Sequence, residues 1–182
     1  PYHPIETPDV FTDTEDLFGT HTAIRSVEQY GVINGQAKVI RARTESISAL
    51  LDGSVNDSVS EVVNRYTDGS EDPATLPEEY SRPAPNGRQP PTGRVWIGLL
   101  TGVEEQTIDY TDLDGQARQF EGAVTTSTDA FGFSRTQSLV HNTYEVKDGQ
   151  ARIILALTRS TQVALDGRRS ATVGLVRSSY AD

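Results

Sequence analysis

The stretch Ser138-Leu139-Val140-His141-Asn142-Thr143-Tyr144-Glu145-Val146-Lys147-Asp148-Gly149-Gln150-Ala151-Arg152-Ile153-Ile154-Leu155-Ala156-Leu157-Thr158 decides the fold class. Asp148-Gly149 is a two-residue turn signal, because a type I′ turn needs positive φ at both central positions. Apolar and β-branched residues flank it on both sides, so the pattern predicts an antiparallel hairpin. The second arm is apolar on both faces at 153–157, which marks a central strand.

The same chemistry recurs outward along the chain. Asn34-Gly35, Asp114-Gly115 and Asp166-Gly167 are further turn signals. Asn34-Gly35-Gln36-Ala37, Asp114-Gly115-Gln116-Ala117 and Asp148-Gly149-Gln150-Ala151 share a phrase, but their starts are 80 and 34 residues apart. Without a fixed period this is shared hairpin chemistry, not a repeat architecture. Residues 38–48, 107–111, 117–124 and 171–177 read as strands, and 95–100 as a buried one. Residues 21–30 lack clear periodicity, and 12–18 can open a short helix before Gly19.

One segment reads as helix. Ser58 and Glu61 have capping-box spacing. Val59, Val62, Val63 and Tyr66 fall at i, i+3, i+4 and i+7, which predicts a helix over 58–67 stopped near Gly69. The valines leave a strand as the alternative. Two segments read as neither: residues 1–20 form an extended N-terminal arm, with three prolines among the first eight residues, and 70–93 is a loop carrying six more. Proline fixes φ and restrains its predecessor, so the opening residues are expected to be extended rather than helical and 70–93 to lack regular structure. A loop of that length inside one domain is usually functional. The whole, residues 1–182, is predicted to be a single all-β domain. Its expected fold is an antiparallel β sandwich in single jelly-roll order, with about eight strands and at most one or two short helices.

Composition narrows the setting. Acidic residues number 26 against 16 basic, for a net charge of −10, and only Lys38 and Lys147 are lysine. In molar salt the Debye length falls to ~3 Å, so such self-repulsion is screened. Dense short carboxylates with few lysines fit a halophile's surface; arginine-favouring codon bias is the other source of this balance. The balance argues against a generic nucleic-acid binder, because phosphate neutralisation needs a basic face. Residues 150–177 carry Arg152, Arg159, Arg168, Arg169 and Arg177 against Asp166 alone. That local positive charge suits an acidic neighbour, lipid headgroups or simply solvated strand ends. The chain has no cysteine and no methionine, which removes disulfides, thiol nucleophiles and Cys-ligated metals. No apolar run nears the ~20 residues of a membrane span and no signal-peptide layout opens the chain. A mature soluble chain is expected, with Pro1 left by initiator-methionine removal or precursor cleavage.

Catalytic constellations are missing. His3, His21 and His141 make no H-x-H pair. Gly132-Phe133-Ser134-Arg135 begins like a nucleophile elbow but lacks the closing glycine and the strand-to-helix setting. Glu78-Glu79 and Glu104-Glu105 are adjacent pairs of the sort that chance supplies in an acidic chain. Asp109, Asp112 and Asp114 lack EF-hand spacing, so hairpin solvation is the main reading and a Ca²⁺ loop the lesser one. Asn56-Asp57-Ser58 fits a glycosylation sequon. No catalytic, cofactor-binding or metal residue is assigned.

A small, acidic, lysine-poor, cysteine-free β protein with a proline-rich arm from Pro1, β-rich halves at 35–50 and 94–178 and a proline loop between them resembles one family. It is similar to the smaller major capsid proteins of haloarchaeal tailless icosahedral viruses with an internal membrane. The resemblance implies a single vertical jelly roll and a place in the virion shell. It implies as partners copies of itself, a larger sister capsid protein and the viral membrane beneath, with no direct nucleic-acid contact and no catalytic residue. The rival classes are a secreted haloarchaeal β-sandwich binding module and a small enzyme on a β scaffold. Residues 1–10 and 70–93 hold too few apolar groups to build a core. Ordering them costs roughly 1–2 kcal/mol per backbone residue, which contacts with adjacent subunits would offset. Tyr2, Ile5, Val10 and Phe11 in the arm, and Leu76 and Tyr80 in the loop, are the expected subunit contacts.

Overall fold

A computed structural model describes residues 5–6 (backbone only), 9–17, 19–83, 87–90 and 93–180. Twelve strands follow one another among these residues: β1 (Ile5–Glu6), β2 (Val10–Glu15), β3 (His21–Ile33), β4 (Gln36–Ala49), β5 (Val55–Tyr66), β6 (Leu100–Glu105), β7 (Thr107–Thr111), β8 (Ala117–Glu121), β9 (Ala123–Thr128), β10 (Ser134–Lys147), β11 (Gln150–Ala164) and β12 (Arg169–Arg177). The only helical pieces among them are one-turn 3-10 helices at Pro73–Thr75 and Glu78–Tyr80.

All pairings are antiparallel, and the class is the one the hairpin signals indicate. A large sheet runs β1-β3-β4-β5-β9-β10-β11-β12, with β2 beside β1 on the edge of β3 and β6 on the far end of β5. A two-stranded second layer, β7-β8, lies over one face. The large sheet and the smaller second sheet make up the expected antiparallel β sandwich, while the strand order within the large sheet differs from that of a jelly roll. Two meanders, β3-β4-β5 and β9-β10-β11-β12, meet where β5 pairs β9, whereas a jelly roll alternates consecutive strands between two sheets. The long excursion from β5 to β9 returns the chain beside the strand it left, so local hairpins set most of the order.

The predicted helix at 58–67 is strand β5. Val59, Val62 and Val63 are β-branched, and β4 on one side with β9 and β6 on the other offer ladder partners. Ser58 caps nothing: its hydroxyl lies 2.8 Å from that of Ser46 on β4. Residues 12–15, offered as the start of a short helix, belong to β2, and 21–30 belong to β3. The buried strand expected at 95–100 is irregular until Leu100. Gly98 takes φ +86° and donates its N–H to Thr67 O at 2.8 Å, which turns the backbone out of strand geometry. At Asn34 and Asp148 φ is positive, +50° and +52°, as their turns require.

The core is small. One part lies beneath β7-β8, where Ile108 and Val124 are buried and Gln137 donates from Nε2 to Thr111 O at 2.9 Å. The other gathers Ile33, Thr67, Tyr80 and Val95 near the opposite end. The sheet face away from β7-β8 carries little to bury. Across it runs the register row Ile24–Ser46–Ser58–Thr125–Ser138–Ser160–Thr172, six of whose seven residues bear hydroxyls. Ser138 and Ser160 approach to 2.8 Å, as Ser46 and Ser58 do.

Candidate assembly surfaces

The N-terminal arm is an edge rather than a free strap where it is described. Ile5 and Glu6 pair with Tyr30 and Gln29, and Val10–Glu15 pair with Ser26 back to His21. Every residue of β2 is exposed, Phe11 at 71% and Val10 at 56%. Tyr2 and the side chain of Ile5 lie outside the described residues. Asp9, Asp13, Glu15 and Asp16 make this edge acidic, with no basic residue between 9 and 16. Arg25 reaches Asp9 Oδ2 at 2.6 Å and His21 reaches Asp13 at 3.1 Å.

The proline loop folds back on its own chain. Tyr80, expected as a subunit contact, is only 2% exposed, which corrects that assignment. Its hydroxyl donates to Leu100 O at 2.6 Å and its carbonyl accepts from Trp96 N at 2.9 Å. Burial pushes the Tyr80 phenol above its ordinary pKa, with the Glu79 charge adding to the shift. Trp96 Nε1 donates to Arg82 O at 2.8 Å. A tyrosine with a backbone acceptor in reach is a core residue with a polar handle. Leu76 is half-buried between the two 3-10 helices.

At the other end of the sheet, β12 pairs only with β11 among the described residues, and all nine of its residues are exposed. Val173, Leu175 and Val176 are between 62% and 68% exposed. No lysine, proline or bulge interrupts this strand, the devices by which edges are usually protected. Arg169 is tied to Asp114 at the tip of the β7-β8 hairpin and Arg168 to Asp166. Arg159 and Arg177 have no acidic partner among the described residues. The open edges therefore differ in sign, acidic at β2 and basic at β12. Sequence reasoning placed the positive charge at 150–177 and a strand at 171–177, but missed that this strand is an open edge with exposed apolar side chains.

The groups weighed for chemistry have structural partners. Ser134 donates to Asp129 Oδ2 at 3.0 Å inside a turn, beside the stacked Phe131 and Phe133. Asp112 accepts from Asp114 N and Gln116 N at 2.9 Å and from Arg118 at 3.0 Å, while Asp109 accepts from Gln119 at 2.8 Å. These aspartates serve the hairpin. The Gln116 N–H first, then the Arg118 guanidinium, hold the Asp112 carboxyl below its usual range. Glu78 and Glu79 lie in the second 3-10 helix, and Glu79 accepts from Asp148 N at 3.0 Å. Asn56 lies half-buried in β5, between Ser48 and Ser127. His3 lies outside the described residues. His141 Nδ1 sits 3.1 Å from Glu105 Oε2, and Glu105 also accepts from Asn142 N and Nδ2, each at 2.8 Å. Among the described residues no group of three His, Asp or Glu side chains is arranged to hold a metal ion.

No protein-family model matches this chain, and neither a curated protein nor a solved structure is significantly similar to it.

Proposed function

We propose that this protein is a structural subunit that joins edge to edge with further copies in a repeating shell and carries out no catalysis. The setting we propose is a virion of the haloarchaeal, membrane-containing kind, with a larger sister subunit beside it. One observation carries the reading. The chain exposes 12075 Å², whereas a compact monomer of 19.8 kDa exposes about 8,600 Å² by the usual scaling of surface with mass. The excess, about 3,400 Å², is several times the ~800 Å² that each partner gives to a standard interface. A sheet with one thin covering layer and two open edges leaves much of its surface for neighbours to cover. The β12 edge offers apolar side chains with arginines, and the β2 edge offers unpaired backbone with acids, so the two are complementary. The meander order departs from the family's jelly roll, so the support comes from the surface and the charge balance.

Mass photometry of the full chain in molar salt tests this. Assemblies larger than a dimer are expected, and Val173→Lys with Leu175→Lys should give a folded monomer, since lysine on an edge blocks strand addition. A wild-type chain that stays monomeric in molar salt at high concentration overturns the proposal.

A further inference from the structure

His141 and Arg159 line one crevice between β8 and the β10-β11 pair. It encloses about 320 Å³, and Phe120, Leu139 and Leu157 supply its apolar lining. Roughly ten water-sized atoms fill such a space. In the ladder Leu139 stands opposite Arg159 and His141 opposite Leu157. His141 and Arg159 are therefore diagonal neighbours on two antiparallel strands, about 7–8 Å apart at the backbone. Two side chains of that length can hold one small group between them.

The imidazole is fixed from behind. Nδ1 lies 3.1 Å from Glu105 Oε2 and 3.1 Å from the Glu121 carbonyl, and both are acceptors, so Nδ1 carries the proton. The Glu105 side chain is 4% exposed, and Asn142 N and Nδ2 donate to it at 2.8 Å, with the Tyr144 hydroxyl at 3.5 Å. A buried carboxylate thus sets the tautomer and leaves Nε2 for the crevice. No residue described in the structure hydrogen-bonds to Nε2. Arg159 is exposed and has no acidic partner among the described residues. The fold uses neither group.

We propose that this crevice binds a small carboxylic acid with an apolar body and takes up a proton with it. The charges that face His141 decide the class. Glu105 of β6 and Glu121 of β8 are acidic, Arg159 of β11 is basic, and β10 itself adds the Tyr144 hydroxyl. With a neutral imidazole, two carboxylates outnumber one guanidinium and an anion is repelled. A solvent proton on Nε2 makes an imidazolium that donates to Glu105 through Nδ1 and to the ligand through Nε2. Arg159 supplies the second donor, and its planar fork suits a carboxylate. No covalent bond to the ligand forms or breaks. A phosphate dianion would meet Glu121 at the rim and leave the leucines and Phe120 uncovered, whereas an apolar body buries them. A recess of this volume lies within the range that small molecules fill.

Titration of the full chain with benzoate at fixed salt, followed through the Leu139 and Leu157 methyl signals, is the test. Saturable binding is expected, and affinity should fall from about pH 5 to about pH 8, the range in which histidine changes charge. Arg159→Gln should weaken binding at least about tenfold, the loss expected for a charge-assisted hydrogen bond. His141→Gln should weaken it and flatten the pH response. Neither residue is buried, so neither change empties the core. Benzyl alcohol has the body without the charge, and acetate has the charge without the body. Each should bind at least about tenfold more weakly than benzoate. Absence of saturation, equal binding of either control, or an affinity that ignores pH or Arg159→Gln overturns the inference. Assembly is read separately, from particle mass and the β12 edge, so failure here leaves that proposal standing and the reverse holds too.

Discussion

Glu104 and Glu105 are neighbours in sequence with opposite fates. Glu104 sits in the open, clasped by Arg65 through two 2.7 Å bonds. Arg65 holds its carboxyl below the usual range. Glu105 is 8% exposed and accepts from the backbone and side chain of Asn142. Beside it Gly122 adopts φ +134°, where a Cβ would come within 2.2 Å of Val140 O. Replacing Glu105 by alanine strands donors in a water-poor site and should cost about 2–4 kcal/mol, whereas Glu104→Ala should cost far less because water screens an exposed pair. Denaturant unfolding of both variants checks this, and similar midpoints for the two would refute the contrast. Nothing in the dipeptide separates the two residues. Their difference comes from the pairing of β6 with β5 and from Asn142, which is 37 positions away.

At the scale of elements, hairpins were legible and the segment 58–67 was not. Val59, Val62, Val63 and Tyr66 have helical spacing, but a strand apolar on both faces produces it too. Ser58 and Glu61 look like a capping box, yet Glu61 is the buried anchor of Arg41 and Arg43. Only the strands on either side decide, and they are set by chain far away. Turns depend on local chemistry, which is why Asn34-Gly35 and Asp148-Gly149 were readable. That chemistry also makes three turns acid-sensitive. The Ser54 hydroxyl and N–H hold Asp52 below the ordinary 3.8, and the Arg168 N–H and guanidinium do so for Asp166. Burial pushes Asp129 up, but the Phe133 N–H, the Ser134 hydroxyl and the Phe131 N–H outweigh it. Each group is more acidic folded than unfolded. Its contribution is therefore full above 3.8 and is lost as pH falls through the lower folded value. Amide exchange at 52–54, 131–134 and 166–168 should accelerate below that pH, and Asp→Asn at all three positions should flatten the response. Protection unchanged down to the folded pKa values would contradict it.

For the molecule as a whole, net charge governs stability. At −10 the chain repels itself, and salt shortens the range of that repulsion from ~10 Å at 0.1 M to ~3 Å at 1 M. The melting temperature should rise through stepped KCl; a flat or falling series would argue against a surface built for high salt. The antiparallel class was legible because turns and alternation are local. Strand order was not, because the pairing of β5 with β9 spans the whole 67–122 excursion. The thin core was readable in principle, from serines and threonines at alternate positions in 44–48, 58–60, 136–138 and 158–160. The count of strands has one more consequence. From β2 through β3, β4, β5, β9, β10 and β11 to β12, direction reverses at each of seven steps, so the outermost strands run opposite ways. Parity makes the unit tileable: a copy set alongside without being flipped meets its neighbour antiparallel, like any internal pair. An odd count would have forced a parallel seam. Yet each step twists by roughly 20–25°, so eight steps turn the next copy through about 160–200°. Unaided, such a tiling winds into a helicoid, and a closed shell would need a second component to cancel the rotation.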